Sequence, residues 1–286
     1  MSESDQEFPP QQQEPPGSTA EMTPKPHDEM SGYVGRALLE GKRALVTGGD
    51  SGIGRAVAIA FAKEGADVAI SYLSEDDDAR HTAKLIEQEG RKVVLLPGDL
   101  TEENECQEVV ERTVAELRGL DILVNNIAYQ NPAQSLGEIS TEQWDRTFKT
   151  NIYSYFWVTR AALDHLPDGG AIINSGSING LRGNKSLIDY SATKGAILAF
   201  TYSMAQSLVE RRIRVNCVAP GPVWTPLIPA TMGEQKVEHF GQQTPMEEAA
   251  QPDEIAPSYV FFAAEAFSSY YTGEVLAPVG GETLPG

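Results

Sequence analysis

The stretch Thr47-Gly48-Gly49-Asp50-Ser51-Gly52-Ile53-Gly54 constrains this chain more than any other. A short apolar run, Arg43-Ala44-Leu45-Val46, precedes it, and a helical pattern from Arg55 to Ala62 follows. Strand, glycine turn and helix start together form the geometry of a pyrophosphate cradle. Glycines let the backbone approach a phosphate closely, and the first N–H groups of a helix face the anion. Gly48, Gly52 and Gly54 read as T-G-x-x-x-G-x-G, not as the commoner fingerprint G-x-G-x-x-G. A glycine turn alone can be only a tight turn. Between a strand and a helix, phosphate binding is the stronger reading.

From Lys42 onward, short apolar runs alternate with helical patterns. Strands are expected at 44–47, 67–71, 92–96, 122–125, 171–174, 214–218 and 274–277. Helices are expected at about 53–64, 76–89, 103–118, 141–166, 188–211 and 252–265. Runs such as Val93-Val94-Leu95-Leu96 and Ile122-Leu123-Val124 suit parallel strands buried on both faces. Right-handed crossovers then give an α/β fold with a doubly wound seven-stranded parallel sheet. Ligands of such sheets bind beyond the C-terminal strand ends. The sequence shows no internal repeat and no second domain.

Composition narrows the partners. The 286 residues carry a formal charge of -19 and are 41% apolar, which suits a globular protein with a sizeable core. The charge argues against nucleic acid, whose phosphates need a basic surface, and against anionic membranes. Cys106 and Cys217 make no disulfide framework, and four scattered histidines show no metal-ligand spacing. No run approaches ~18 apolar residues, and the N-terminus carries no secretory pattern. The expected location is the cytoplasm.

Residues 1–40 differ from the rest. Met1 to Met30 is rich in Pro, Gln and Glu, with almost no large aliphatics to offset the entropy of ordering. The segment reads as a flexible N-terminal arm ahead of a single domain at 41–286. It is either inert or docks on a neighbouring subunit through Tyr33 and Leu38-Leu39. Residues 222–250 interrupt the strand–helix alternation. They are loop-rich, with apolar pairs Val223-Trp224 and Leu227-Ile228, as in a substrate lid.

A second constellation carries chemistry. On a helix, Tyr190 and Lys194 of Tyr190-Ser191-Ala192-Thr193-Lys194 share a face. A nearby ammonium favours a phenolate, so the phenol pKa is expected to fall below its usual ~10. The pair can then shuttle a proton near neutral pH. Alone, Y-x-x-x-K is usually a solvated helix face. Ser177 follows the expected strand 171–174, so its hydroxyl can approach the phenol. Asn151 sits inside the expected helix 141–166, where an asparagine is mildly unfavourable unless exposed.

Taken together, these features resemble the short-chain dehydrogenase/reductase family, over roughly residues 42–281. The resemblance rests on the glycine motif at 47–54, Asp99, Asn125-Asn126, Asn151, Ser177, Tyr190, Lys194 and Pro220-Gly221-Pro222-Val223-Trp224-Thr225, all in family order. Met22-Thr23-Pro24-Lys25-Pro26, Gly48-Gly49-Asp50-Ser51-Gly52 and Phe240-Gly241-Gln242-Gln243-Thr244-Pro245-Met246 are similar to an N-terminally extended bacterial branch. That branch includes aldehyde reductases, general stress oxidoreductases and glucose/ribitol dehydrogenase-like proteins. The resemblance implies a Rossmann-type domain and hydride transfer between nicotinamide and a small carbonyl or alcohol. It implies Tyr190 as acid or base, with Lys194 binding the nicotinamide ribose and lowering the tyrosine pKa. Ser177 would hold the substrate oxygen, and Asn151 would support a water-filled proton relay. For the cofactor it implies Gly48, Ser51, Gly52, Ile53 and Gly54 at the phosphates. Ser71 and Tyr72 would lie at the adenosine ribose, and Asp99, Leu100 and Asn126 along the adenosine half. Pro220, Gly221, Val223 and Thr225 would line the nicotinamide side. It further implies a homotetramer, with helices 141–166 and 188–211 at one interface.

Two positions depart from the family pattern. Asn125-Asn126-Ile127-Ala128 replaces Asn-Asn-Ala-Gly, and Val279 replaces the usual acid before Gly280-Gly281. At the end of the second strand Tyr72 stands where an acid would select NAD. Its absence slightly favours NADP, yet no arginine replaces it, and Glu75-Asp76-Asp77-Asp78 follow. NAD stays open. Two further classes stay open as well: a dinucleotide-sensing module and a stress-related structural protein. Among enzymes the alternative is a carrier-linked 3-ketoacyl reductase. The strong negative charge argues against docking an acidic carrier, and Arg182 and Lys185 are the nearest basic residues. The expected substrate walls are Tyr129, Gln130, Ile178, Leu181, Trp224 and Leu227.

Overall fold

The computed structural model describes residues 8–283. Strand β1 (Arg43–Thr47), helix α1 (Gly52–Lys63), β2 (Asp67–Tyr72), α2 (Asp76–Gln88) and β3 (Val93–Pro97) wind outward from the sheet centre. Helix α3 (Glu103–Leu117) then carries the chain back, and β4 (Ile122–Asn125) pairs with the free side of β1. The second half winds the other way. It runs through α4 (Thr141–Phe148), α5 (Ser154–Ala162), β5 (Ala171–Ser175), α6 (Ile178–Arg182), α7 (Ile188–Ser207) and β6 (Arg214–Val218). Short α8 (Leu227–Thr231) and α9 (Glu234–Glu238) precede α10 (Pro252–Ala263), α11 (Glu265–Ser268) and β7 (Val275–Leu276). The sheet order is β3-β2-β1-β4-β5-β6-β7, with every pair parallel. The winding reverses between β1 and β4, which leaves a crevice beyond their carboxyl ends.

Strand alternation builds two core layers. Val46, Ile70, Val124 and Ile173 point to one face, where they meet α1 and α10 residues such as Val57, Phe61 and Tyr259. Leu45, Ala69, Leu123 and Ile172 point to the other, against α3, α5 and α7 through Val110, Val158 and Ala205. Both faces are covered, so the strands read as continuous apolar runs.

Four expectations change. The helix expected at 141–166 is interrupted at its centre by a π-type turn, Lys149–Tyr153, between α4 and α5. The helix expected at 252–265 ends at Ala263, and the last strand shrinks to Val275–Leu276. The flexible arm is the largest correction. Residues 1–7 lie outside the described residues, but residues 8–40 pack against their own domain. Phe8, Met22, Met30 and Leu39 are buried, and Tyr33 and Leu38 join the core beside α1. The arm's polar backbone finds fixed partners as well. Buried Glu64 accepts the N–H groups of Arg36 and Leu38 at 2.8 and 3.0 Å and the hydroxyl of Tyr33. Few apolar residues suffice here because each enters a pocket the domain already provides.

Candidate active site

The glycine turn joins β1 to α1. Gly48 and Gly52 have φ of +65° and +51°, left-handed values that disfavour a side chain. A Cβ on Gly54 would lie 1.8 Å from the Gly48 carbonyl oxygen, so only glycine lets the turn fold back on the helix. Asn126, just past β4, pins the turn from the far side. Its Nδ2 donates to the carbonyls of Thr47 and Gly48 at 3.1 and 3.2 Å. Thr225 closes the fourth side, because a Cβ on Gly52 would meet its side chain at 3.0 Å.

The groups expected to transfer a proton meet beyond the end of β5. Ser177 caps α6, with its Oγ accepting from the Asn179 N–H at 3.1 Å. Its hydroxyl also bonds the Tyr190 phenol on α7. Tyr190 is buried, and burial pushes its pKa up to about 12, with the Ser177 bond offsetting part of the rise. The expected lowering by Lys194 is not seen: burial sets the direction of the shift. The ammonium is itself buried and is drawn down to about 8. Lys194 Nζ donates to the Ser175 carbonyl at 2.7 Å and sits 5.5 Å from the Tyr190 ring centre. Three groups that sequence reasoning missed surround it. The Tyr155 hydroxyl donates to the Ser175 carbonyl at 3.3 Å, and Ser175 Oγ lies 2.6 Å from the Tyr259 hydroxyl. Their hydroxyls come from α5 and α10, so only the tertiary fold brings them together.

Asn151 is buried, not exposed. Its Oδ1 accepts from the Tyr129 N–H at 2.7 Å, and its Nδ2 donates to the Tyr129 carbonyl at 2.9 Å and to Thr193 Oγ1 at 3.0 Å. The π-type turn is what swings it inward, and the cost of a mid-helix asparagine is recovered in these bonds. Behind it, buried Asp189 accepts from Thr147 Oγ1 at 2.8 Å and Gln143 Nε2 at 3.1 Å, tying α4 to α7.

At the end of β2, Ser71 Oγ is buried with no partner among the described residues. The Tyr72 hydroxyl donates to Asp76 at 2.7 Å. The acidic run is largely spent within the protein. Asp78 pairs with Arg55 at 2.6 Å, and Asp76 and Asp77 pair with Arg80. Asp50 stays beside the crevice, and burial together with Glu75 raises its pKa to about 6.

These groups open into one crevice of about 1230 Å³. Gly48, Ser51, Gly52 and Ile53 form one end of its wall, with Ser71, Tyr72, Asp99, Leu100 and Asn126 beside them. Ser177, Tyr190 and Lys194 face it together with Pro220, Gly221, Val223 and Thr225. Gly54 and Asn151 stand just behind the wall and shape it. Among the expected substrate walls, Tyr129, Gln130, Ile178 and Leu227 line it. Leu181 and Trp224 do not: Leu181 packs beside Cys217 and Ala219, and Trp224 is buried among Phe8, Met22, Ile228 and Phe240. Arg182 is held by Glu282. The departure at Val279 is structural, since it backs Gly221, whose Cβ would meet Val279 Cα at 3.2 Å. A glycine cradle, an unpartnered Ser71 hydroxyl and an elongated crevice suit a dinucleotide. Among the described residues no three His, Cys, Asp or Glu side chains converge as metal ligands.

The comparisons with known proteins agree with this geometry. A family model described as enoyl-(acyl carrier protein) reductase matches residues 48–283. A short-chain dehydrogenase of Burkholderia cenocepacia, solved in complex with NADP, superposes with a TM-score of 0.80 at 32% identity. The match covers 85% of this chain and 98% of that one. The chain belongs to the short-chain dehydrogenase/reductase family. General stress protein 39 of Bacillus subtilis is 57% identical over 93% of each chain. NADPH-dependent aldehyde reductase 1, chloroplastic, of Arabidopsis thaliana is 47% identical over 94% of this chain and 96% of its own. As a family member, the protein is an NAD(P)-dependent oxidoreductase that moves a hydride between nicotinamide and a small carbonyl or alcohol substrate. No helix among the described residues is long and apolar enough to cross a membrane.

Proposed function

We propose that this enzyme uses NADP(H) to reduce small aldehydes or ketones, or in reverse to oxidise sugar-like polyols, with Tyr190 as the proton donor in reduction and the base in oxidation. One observation carries the reading. A buried Lys194 ammonium lies beneath a protonated Tyr190 phenol, in the crevice that begins at the glycine turn. Ser177 Oγ and the Tyr190 hydroxyl together offer two donors to one carbonyl oxygen. Both bonds strengthen as that oxygen gains negative charge. A bound reduced nicotinamide supplies the hydride that the carbonyl carbon receives. Tyr190 then gives its proton to the oxygen, the O–H bond of the phenol breaks, and a phenolate remains. Lys194 stabilises that phenolate by its charge. Burial keeps the Tyr190 phenol protonated at neutral pH, the state from which it can give a proton to the carbonyl oxygen. Asn151 holds the Tyr129 loop and the turn past which a proton returns to Tyr190 through water.

Gly48, Ser51, Gly52, Ile53 and Gly54 would hold the diphosphate. Asp99, Leu100 and Asn126 would flank the adenosine half, and Lys194 would also bind the nicotinamide ribose. Pro220, Gly221, Val223 and Thr225 would line the nicotinamide side. Tyr72, in place of an acid, and the unpartnered Ser71 hydroxyl favour NADP(H) over NAD(H). The NADP complex of one relative and the NADPH dependence of another support the same choice. Residues 222–250 would act as the lid. Tyr153, Phe156 and Tyr202 are exposed aromatics on the π-type turn, α5 and α7, which supports a homotetramer built on those helices. The cytoplasm is the proposed location.

Tyr190→Phe tests the mechanism. NADPH binding should persist while aldehyde reduction falls by about 10²–10⁴-fold. Retention of wild-type turnover would remove Tyr190 from the mechanism. A comparison of kcat/KM with NADPH and NADH tests the cofactor choice, and a large NADH preference would overturn it.

A further inference from the structure

The arm crosses the crevice instead of hanging from the domain. Its Gln13 N–H donates to the Pro229 carbonyl on α8 at 2.9 Å. A few residues on, the Ser18 hydroxyl and Thr19 N–H donate to Asp78 on α2 at 3.2 and 3.0 Å. Helix α8 stands on the lid side and α2 on the nucleotide side. The segment between these anchors therefore spans the opening, and Pro15 and Pro16 line the crevice itself. Gly17 makes the crossing close. Its φ is +85°, and a Cβ there would lie 2.7 Å from the Pro226 carbonyl oxygen.

The arm is also tied down at two further places, the Trp224 cluster and the glycine turn. Phe8 stacks on Trp224 with ring centres 3.8 Å apart, and Trp224 Nε1 donates to the Pro24 carbonyl at 2.9 Å. The lid's apolar cluster, with Ile228, Val237 and Phe240, is thus completed by Phe8 and Met22 of the arm. At the cradle, Ser51 makes no side-chain cap on α1. The arm's Asp28 takes that role, accepting the Gly52 N–H at 3.2 Å. The same carboxylate lies 3.1 and 3.3 Å from Arg55, whose Nε donates to the Asp50 carbonyl in the glycine turn at 2.9 Å. Asp28, Arg55 and Asp78 are all buried, so the arm fixes the turn through a chain of bonds that water does not loosen.

We propose that residues 8–30 form a strap that completes the cofactor crevice, with Asp28 positioning the glycine turn and Phe8 holding the lid through Trp224. The strap sets how tightly the dinucleotide is held and how fast it leaves. This rests on the dinucleotide reading of the crevice. Cofactor exchange requires either the lid or the strap to move, because the strap bridges the two sides of the opening.

The test uses the full-length protein and NADPH, read by fluorescence titration and stopped-flow displacement. Asp28→Asn keeps the shape and removes the charge. It should raise the Kd about tenfold, the change expected when a helix cap is weakened at a binding turn. The loss should fall on KM for NADPH more than on kcat. Phe8→Ala should speed NADPH release several-fold by loosening the lid. Tyr33→Phe loosens the arm at Glu64, far from the crevice, and should lower Tm without changing NADPH affinity. Wild-type Kd and release rates in both Asp28→Asn and Phe8→Ala would overturn the proposal and leave the arm a structural cover. Failure of the wild-type chain to bind NADPH or NADH would overturn the dinucleotide reading, and the strap with it.

Discussion

Lys194→Met should make the cofactor-free protein more stable while abolishing turnover. Lys194 is buried with its ammonium bonded to one carbonyl, and its pKa falls from 10.5 to about 8. That gap sets about 3 kcal/mol against folding at pH 7. Removing the ammonium also removes its hydrogen bond to Ser175, a loss of about 1–2 kcal/mol that the Tyr155 hydroxyl only partly covers. The net gain at pH 7 is about 1–2 kcal/mol by subtraction. The pH dependence is the sharper signature. Between pH 8 and 10.5 the folded lysine binds fewer protons than the unfolded one, so wild-type stability climbs across that window. Below pH 8 the penalty stands in full. Methionine has nothing to titrate, so its advantage over wild type should shrink by about 2 kcal/mol between pH 7 and pH 9.5. Urea melts of both proteins at the two pH values measure it, since other groups titrate alike in both. An advantage that stays constant over that range would refute the depressed lysine pKa and the desolvation argument behind it.

Other perturbations follow from the same contacts. Gly54→Ala drives a methyl group into the Gly48 carbonyl, so NADPH affinity measured by calorimetry should fall at least about tenfold, as a distorted cradle requires. Asn151→Ala leaves the Tyr129 N–H and the Thr193 hydroxyl short of a partner. It should cost about 1–3 kcal/mol in denaturant melts and reduce kcat as the Tyr129 loop loosens. Arg55→Met strands the carboxylates of Asp28 and Asp78 and should destabilise by about 3–5 kcal/mol. That loss should ease as pH falls, because burial has already raised the Asp28 pKa to about 6 and a protonated Asp28 needs no cation.

The sheet was legible because parallel strands buried on both faces must be apolar throughout. Val93-Val94-Leu95-Leu96 and Ile122-Leu123-Val124 could hardly be placed elsewhere. The glycine turn was legible for a related reason: steric demands at Gly54 admit one residue type. The electrostatics of Tyr190 and Lys194 were not. Spacing shows that two side chains share a face, but it carries no measure of how much water reaches them. Here desolvation outweighs the mutual attraction, and both groups move toward their neutral forms. The same limit explains why Tyr155, Ser175 and Tyr259 went unnoticed. Each is an ordinary hydroxyl in sequence and becomes part of the lysine's setting only after three elements converge.

The arm exposes a different limit. A composition argument asks whether a segment can bury enough of its own surface to stay ordered. Residues 8–40 do not bury each other; they fill sites the domain supplies, and a handful of well-placed residues is enough. Phe8 needs Trp224, Leu39 needs the groove beside α1, and Asp28 needs Arg55. Arg55 was the available clue. An arginine on an apolar helix face directly after a glycine turn must find a carboxylate once the helix packs on the sheet, because an unpaired buried cation is far too costly. Asp78 satisfies one side of its guanidinium, and the other side required an acid from outside the sheet. A search for that acid leads to Asp28, and through it to an arm joined to the glycine turn.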